Sequence, residues 1–211
     1  MMNGDFRRNI RATDGGFVSL VTGPATALIS AVEAREHCEL EGDVTDFDAV
    51  LADCISTATS YLDAEHGILG RALITQTWRL TLNAVPSGRF LSLPFPPVQS
   101  VTNVKYYDQD GAEQTLATNN YRLISAPDGA FIELKSTGTW PSVDDRSGAF
   151  WVDYVAGYGD AATDVPAPVV NAAKMMVSHL FGNREAVQDS ATFETNMGFK
   201  ALISSFRVSR F

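Results

Sequence analysis

The side chains best suited to moving protons or holding a metal are few: His37, His66 and His179. A catalytic site needs such groups to converge with a nucleophile, an acid or a second ligand cluster. Their positions give no sign of convergence. His37 and His66 fall at the ends of predicted helices, where an imidazole complements the dipole and the last free carbonyls. His179 adjoins Leu180 on an apolar helix, an interface or core-edge position. Asp63-Ala64-Glu65-His66 offers metal-ligand types in one run. Consecutive helix positions point in different directions, however, and no second cluster completes a site. Gly157-Tyr158-Gly159-Asp160 lacks a third glycine, and Asp160 would repel a phosphate, so it reads as a turn between strand and helix. No nucleophile elbow, P-loop, zinc-protease or dinucleotide signature occurs. Cys38 and Cys54 have no C-x-x-C spacing and read as small buried apolar residues of a reduced, cytosolic protein. The residues thus give no catalytic group, metal or cofactor, and the first expectation is a non-enzymatic domain.

Two alternatives come from the same residues. Trp78, Tyr106, Tyr107, Trp140 and Trp151 would suit a carbohydrate- or protein-binding β-rich module if they were exposed, although aromatics at strand positions usually fill a core. A small hydrolase would need an unrecognised site around His66 or His179.

The elements that position these residues follow from capping and periodicity. Ser30-Ala31-Val32-Glu33 is a capping box opening a short helix to about Cys38. Thr45-Asp46-Phe47-Asp48 reads as a second. The helix after it places Phe47, Val50, Leu51, Cys54, Ala58, Tyr61 and Leu62 on one apolar face, with Gly67 as its left-handed C′ residue. The period then changes to two. Ile74–Leu82 alternates as a half-buried strand, and Phe90–Leu93 is a short strand closed by prolines. Val98–Tyr107 is a third strand, ending in an Asp108–Gly111 hairpin turn. Weaker strands follow at Tyr121–Ser125 and Phe131–Lys135, and Ala149–Ala156 closes the set, which predicts an antiparallel sheet or small barrel. Asp164-Val165-Pro166 starts a helix that is apolar nearly all round. The fold class is α+β: N-terminal helices, a β middle, a C-terminal helix and an extended tail. The expected organisation is a flexible arm over 1–24, a single domain over 25–186, and a linker with a C-terminal tail over 187–211.

Composition narrows the class. With 45% hydrophobic residues the chain of 211 residues can bury a core, which excludes a disordered chain. No run approaches the roughly 18 apolar residues of a membrane helix, and Phe17–Val21 is too short for a signal-peptide core. The net charge of −9 argues against broad phosphate binding.

Several stretches taken in order carry a resemblance. Arg71-Ala72-Leu73-Ile74-Thr75-Gln76-Thr77-Trp78 and Leu93-Pro94-Phe95-Pro96-Pro97-Val98-Gln99-Ser100-Val101 come first. Val155-Ala156-Gly157-Tyr158-Gly159-Asp160, Val165-Pro166-Ala167-Pro168, Asn183-Arg184-Glu185-Ala186-Val187 and Ala201-Leu202-Ile203-Ser204-Ser205-Phe206-Arg207-Val208 continue it. Together, over about residues 27–208, they resemble the head–tail connector (adaptor) proteins of tailed bacteriophages and phage-derived gene transfer agents. The first helix departs from the family pattern at Arg35 and Cys38-Glu39.

The resemblance implies a structural virion protein without turnover. It would form a ring, usually dodecameric, beneath the portal protein, and would carry a stopper or tail-completion protein. DNA would pass through the lumen without specific binding, and no membrane would be involved. The chain would lie at the head–tail junction of the particle, and in the host cytoplasm before assembly. The family's C-terminal segment is expected to reach the portal. Here that segment holds Phe199, Lys200, Leu202, Ile203, Phe206, Arg207, Val208, Arg210 and Phe211, apolar anchors among cations with no acid. A closing ring needs two different contact faces on each subunit. The all-round apolar helix supplies candidates in Val169, Val170, Met176, Val177, Leu180 and Phe181.

The charge is unevenly distributed. Residues 33–65 hold ten acids and one base, Arg35, while the rest of the chain is balanced. In a ring traversed by DNA, an acidic wall gives the duplex no phosphate contact. Glu39, Glu41, Asp43, Asp46 and Asp53 are the acids expected to face that channel or its rim.

Overall fold

A computed structural model describes residues 16–41, 46–183 and 197–208. Within them the chain forms two compact units, a β unit of residues 16–25 and 75–158 and a helical unit drawn from residues 26–74 and 159–208.

The β unit holds two open antiparallel sheets and no closed barrel among the described residues. One has five strands in the order β1 (Phe17–Thr22), β2 (Gln76–Leu82), β8 (Phe150–Ala156), β4 (Val98–Tyr107) and β5 (Glu113–Thr115). The other has three, in the order β3 (Phe90–Leu93), β7 (Gly129–Leu134) and β6 (Tyr121–Ala126). Alternation is the cause of the layering. Trp78, Leu80 and Leu82 stand opposite Tyr154, Val152 and Phe150 and project to the same face, all buried. The second sheet buries Leu91, Leu93, Ile132 and Leu134. Pro127-Asp128 makes the two-residue turn of the β6–β7 hairpin, with Ala126 paired to Gly129. After β4, the Asp108 carboxylate accepts from the backbone amides of Asp110 and Ala112 and from Gln114 Nε2, fixing the hairpin into β5.

Strand β1 lies inside the stretch expected to be an unstructured arm. Residues 17–22 pair with β2 in antiparallel register, Phe17 opposite Thr81 and Leu20 opposite Trp78. The run Phe17-Val18-Ser19-Leu20-Val21-Thr22 is aromatic, β-branched and uncharged. That composition favours a strand over a flexible arm.

The helical unit contains α1 (Ala31–His37), α2 (Asp48–Leu62), α3 (Ala167–Gly182) and α4 (Met197–Ser204). The first capping box is realised in full: the Glu33 amide donates to Ser30 Oγ at 3.2 Å, and the Ser30 amide donates to Glu33 Oε2 at 3.0 Å. The second is not. Helix α2 starts at Asp48 with Phe47 at its N-cap and no side-chain cap, while Thr45 lies outside the described residues. The Asp48 carboxylate is instead engaged by the Arg35 guanidinium, whose Nε donates to Oδ1 at 2.9 Å. Gly67 is not the helix stop either. Helix α2 ends at Leu62, Asp63 caps it in an extended conformation, and Ala64 takes the positive φ of 47°. Gly67 packs where a Cβ would collide with the Leu62 carbonyl, so it is needed for close approach. The apolar face of α2 does form, with Leu51, Cys54, Ala58 and Leu62 buried.

Candidate assembly surfaces

Helix α3 begins with Pro166 at its N-cap and Pro168 in its first turn, where missing amides leave no bond unmade. It packs on α1, α2 and α4. Val169, Ala172, Ala173 and Val177 are wholly buried. Two of the six residues expected to form a subunit interface, Val169 and Val177, therefore face this chain's own core. Val170, Met176, Leu180 and Phe181 remain half-buried, with the Phe181 ring edge-on to Phe47 at 5.7 Å. Lys174 extends from this helix to α1, where Nζ bonds Glu33 Oε1 at 2.8 Å. That bond, followed by the two from Ser30, lowers the Glu33 pKa from 4.5 to about 2.

The C-terminal segment is folded back rather than free. Phe199 and Ile203 are each 4% exposed, and the Phe199 ring lies 6.3 Å from that of Tyr61 on α2. Arg71, almost fully buried, donates from Nε to the Phe206 carbonyl. The Val208 amide donates to the Leu69 carbonyl at 2.8 Å. Leu202, Phe206 and Val208 are half-buried, and Lys200 and Arg207 are exposed. Arg210 and Phe211 lie outside the described residues. The surface left for a partner is thus narrower than the segment: two cations beside three partly covered apolar side chains. Arg71 is not among the site residues expected from sequence, although it heads the first stretch that carries the family resemblance.

The acids divide into two groups. Glu33, Asp48 and Asp63 hold the helical unit together through Lys174, Arg35 and the Leu73 amide, the last at 2.8 Å from Asp63 Oδ1. Glu39, Glu41, Asp46 and Asp53 are exposed, and Glu39 has a positive φ of 56°. Asp43 lies outside the described residues. Glu36 and Glu65 are exposed as well, whereas these four follow one another between the end of α1 and the second turn of α2.

The residues considered for chemistry do not converge. His37, His66 and His179 are all exposed, and among the described residues no three His, Cys, Asp or Glu side chains group as metal ligands. Cys54 is buried and Cys38 only half so; burial raises the Cys38 thiol pKa, and neither cysteine is in a disulfide with another described residue. The expected turn at Gly157 is present, with φ 133° and its carbonyl accepting from Gln99 Nε2 at 3.0 Å. Trp78 and Trp151 are buried, at 3% and 7% exposure. Their rings lie tilted against those of Phe95 and Tyr107, with centroids 4.7 Å and 5.1 Å apart. Half-buried Trp140 donates its Nε1 to the Gly88 carbonyl at 2.7 Å. The aromatics do not make an open platform, which removes the basis of a sugar-binding face. No helix among the described residues is long and apolar enough to cross a membrane.

No family model matches the chain, and no curated protein matches it. Solved structures do. A chain in the neck of an empty gene transfer agent particle, computed with C6 symmetry, superposes with a TM-score of 0.77 at 26% identity, covering 92% of this chain and 97% of that one. A chain in the virion of the native gene transfer agent particle gives 0.76 at 25% identity, over 92% and 97%. A chain in the native neck computed with C12 symmetry has the same fold, at 0.64 and 23% identity. These likenesses support the head–tail connector family.

Proposed function

We propose that this chain is a structural head–tail connector of a phage or gene transfer agent particle, without catalytic turnover. The observation that carries the proposal is the mutual coverage with the gene transfer agent neck chain, 92% of one and 97% of the other. A domain shared by unrelated proteins would match only part of one partner. Here nearly all of each chain corresponds to nearly all of the other, so the likeness runs along both chains rather than over a short shared segment.

Copies of the chain form a ring about the particle axis, a reading supported by the sixfold symmetry of that neck. The dodecameric count follows from the family resemblance. The ring sits beneath the portal protein and holds the stopper or tail-completion protein on its other side. Portal contact uses the exposed cations Lys200 and Arg207 with the partly covered Leu202, Phe206 and Val208. Val170, Met176, Leu180 and Phe181 on α3 contribute to subunit contact.

DNA passes through the lumen without being held. The exposed Glu39, Glu41, Asp46 and Asp53 line the channel or its rim and repel phosphates there. Electron microscopy of the purified protein mixed with portal tests the whole reading.

A further inference from the structure

Strand β1 presents a surface that the other described residues leave uncovered. It ends the five-stranded order and, among the described residues, pairs with β2 along one edge only. Phe17, Leu20 and Val21 are 59%, 49% and 52% exposed, half of the large apolar side chains that the described residues leave exposed. Side chains alternate along a strand, so Phe17 and Leu20 project from opposite faces of the sheet. A helix or loop lying on one face would cover one of them and leave the other wet. A strand arriving at the free edge flanks both and also satisfies the unpaired backbone groups.

The other sheet edges are protected and this one is not. At the far end of the same sheet, β5 has three residues and its Glu113 is paired to Lys105 at 2.6 Å. In the second sheet, β6 carries Arg122 paired to Glu133, and β3 has four residues and runs into Pro94. Short length, charge and proline are the usual means of blunting an edge. Strand β1 has six residues with neither charge nor proline. The acidic excess of the chain lies in residues 33–65, so β1 itself carries nothing that repels another copy.

We propose that the free edge of β1 is an inter-subunit contact, to which an adjacent copy of this chain adds a strand. The proposal rests on the ring reading above, which gives every copy the same neighbour on each side. Because a closing ring uses unlike surfaces, β1 meets a different part of the next copy, not that copy's β1.

The test uses the full chain, free and assembled with portal. Amide hydrogen exchange is followed in β1, and ring formation is scored for wild type, Phe17→Lys and Leu20→Lys. The β1 amides should exchange at least about tenfold more slowly in the ring than in the free chain. Both variants, altered at exposed positions, should melt like wild type and lose ring formation by about tenfold or more. Rings in which β1 exchanges as it does in the free chain overturn the edge contact while leaving the ring reading intact. So do lysine variants that assemble like wild type, or β1 protection that requires portal but no ring. A wild-type chain that forms no ring overturns the ring reading, and this contact with it. If a variant fails to fold, the exchange comparison on wild type decides alone.

Discussion

The guanidinium of Arg71 is buried at the exit of α2, and its Nε donates to the carbonyl of Phe206, 135 residues further along the chain. With the Val208 amide bonded to the Leu69 carbonyl, it fixes the C-terminal segment to the helical unit at two backbone groups. The segment expected to meet the portal is therefore part of the folded chain, and it reaches any partner from a defined position.

Replacing Arg71 by Met leaves the Phe206 carbonyl without this donor. The expected cost is about 1–3 kcal/mol, or about 2–4 °C of Tm for each kcal/mol in a chain of this size. Thermal melting should show the loss, and limited proteolysis should cut first near residues 204–208.

Phe199 and Ile203 separate stability from binding. Each is buried, so Phe199→Ala and Ile203→Ala should each cost about 2–5 kcal/mol. Deleting residues 199–211 would then unfold part of the core and say little about attachment. Lys200→Glu and Arg207→Glu, at exposed positions, should change stability by less than about 0.5 kcal/mol. They should weaken portal binding, read by co-sedimentation at low and high salt. Unchanged binding by both would remove the cations from the portal contact.

Glu33 gives a pH dependence with a defined sign. Its folded pKa of about 2 lies below the ordinary 4.5, mainly through the bond from Lys174 and then through those from Ser30. A depressed carboxylate stabilises the fold above the unfolded value, and that contribution is lost as pH falls from about 4.5 to 2. Urea unfolding across this range should show wild type losing more stability than Glu33→Gln. Parallel curves would contradict it.

The capping box at Ser30, the apolar face of α2 and most of the strands could be read from sequence because each is specified by neighbours a few residues apart. Where the reading failed, a distant group had won. Asp48 is taken by Arg35 rather than by a cap, and Gly67 is selected by its approach to Leu62 rather than by helix termination. Strand β1 was hidden by the charged residues that precede it, although its own six residues carry the β signal. The folding back of Phe199 and Ile203 depends on Arg71 and Tyr61, more than 120 residues away, which no local pattern encodes. In the same way, the ten acids of residues 33–65 are alike in sequence, and only distant partners separate those that brace helices from those left to solvent.

The exposed acids make a prediction about DNA. Glu39→Gln, Glu41→Gln, Asp46→Asn and Asp53→Asn combined should leave the fold's stability nearly unchanged, since all four are exposed. Assembled rings of this variant should retain duplex DNA at low salt, where wild-type rings do not. The retention should weaken as salt rises. Equal DNA retention by the two would place these acids away from the duplex.

Electron microscopy of the purified chain mixed with portal, with symmetry analysis, decides whether this protein is a ring-forming connector. The expected image is a cyclic ring of this protein seated coaxially on one end of the portal, with an open lumen wide enough for duplex DNA. Portal particles without added density, or copies bound singly at positions off the axis, would contradict it.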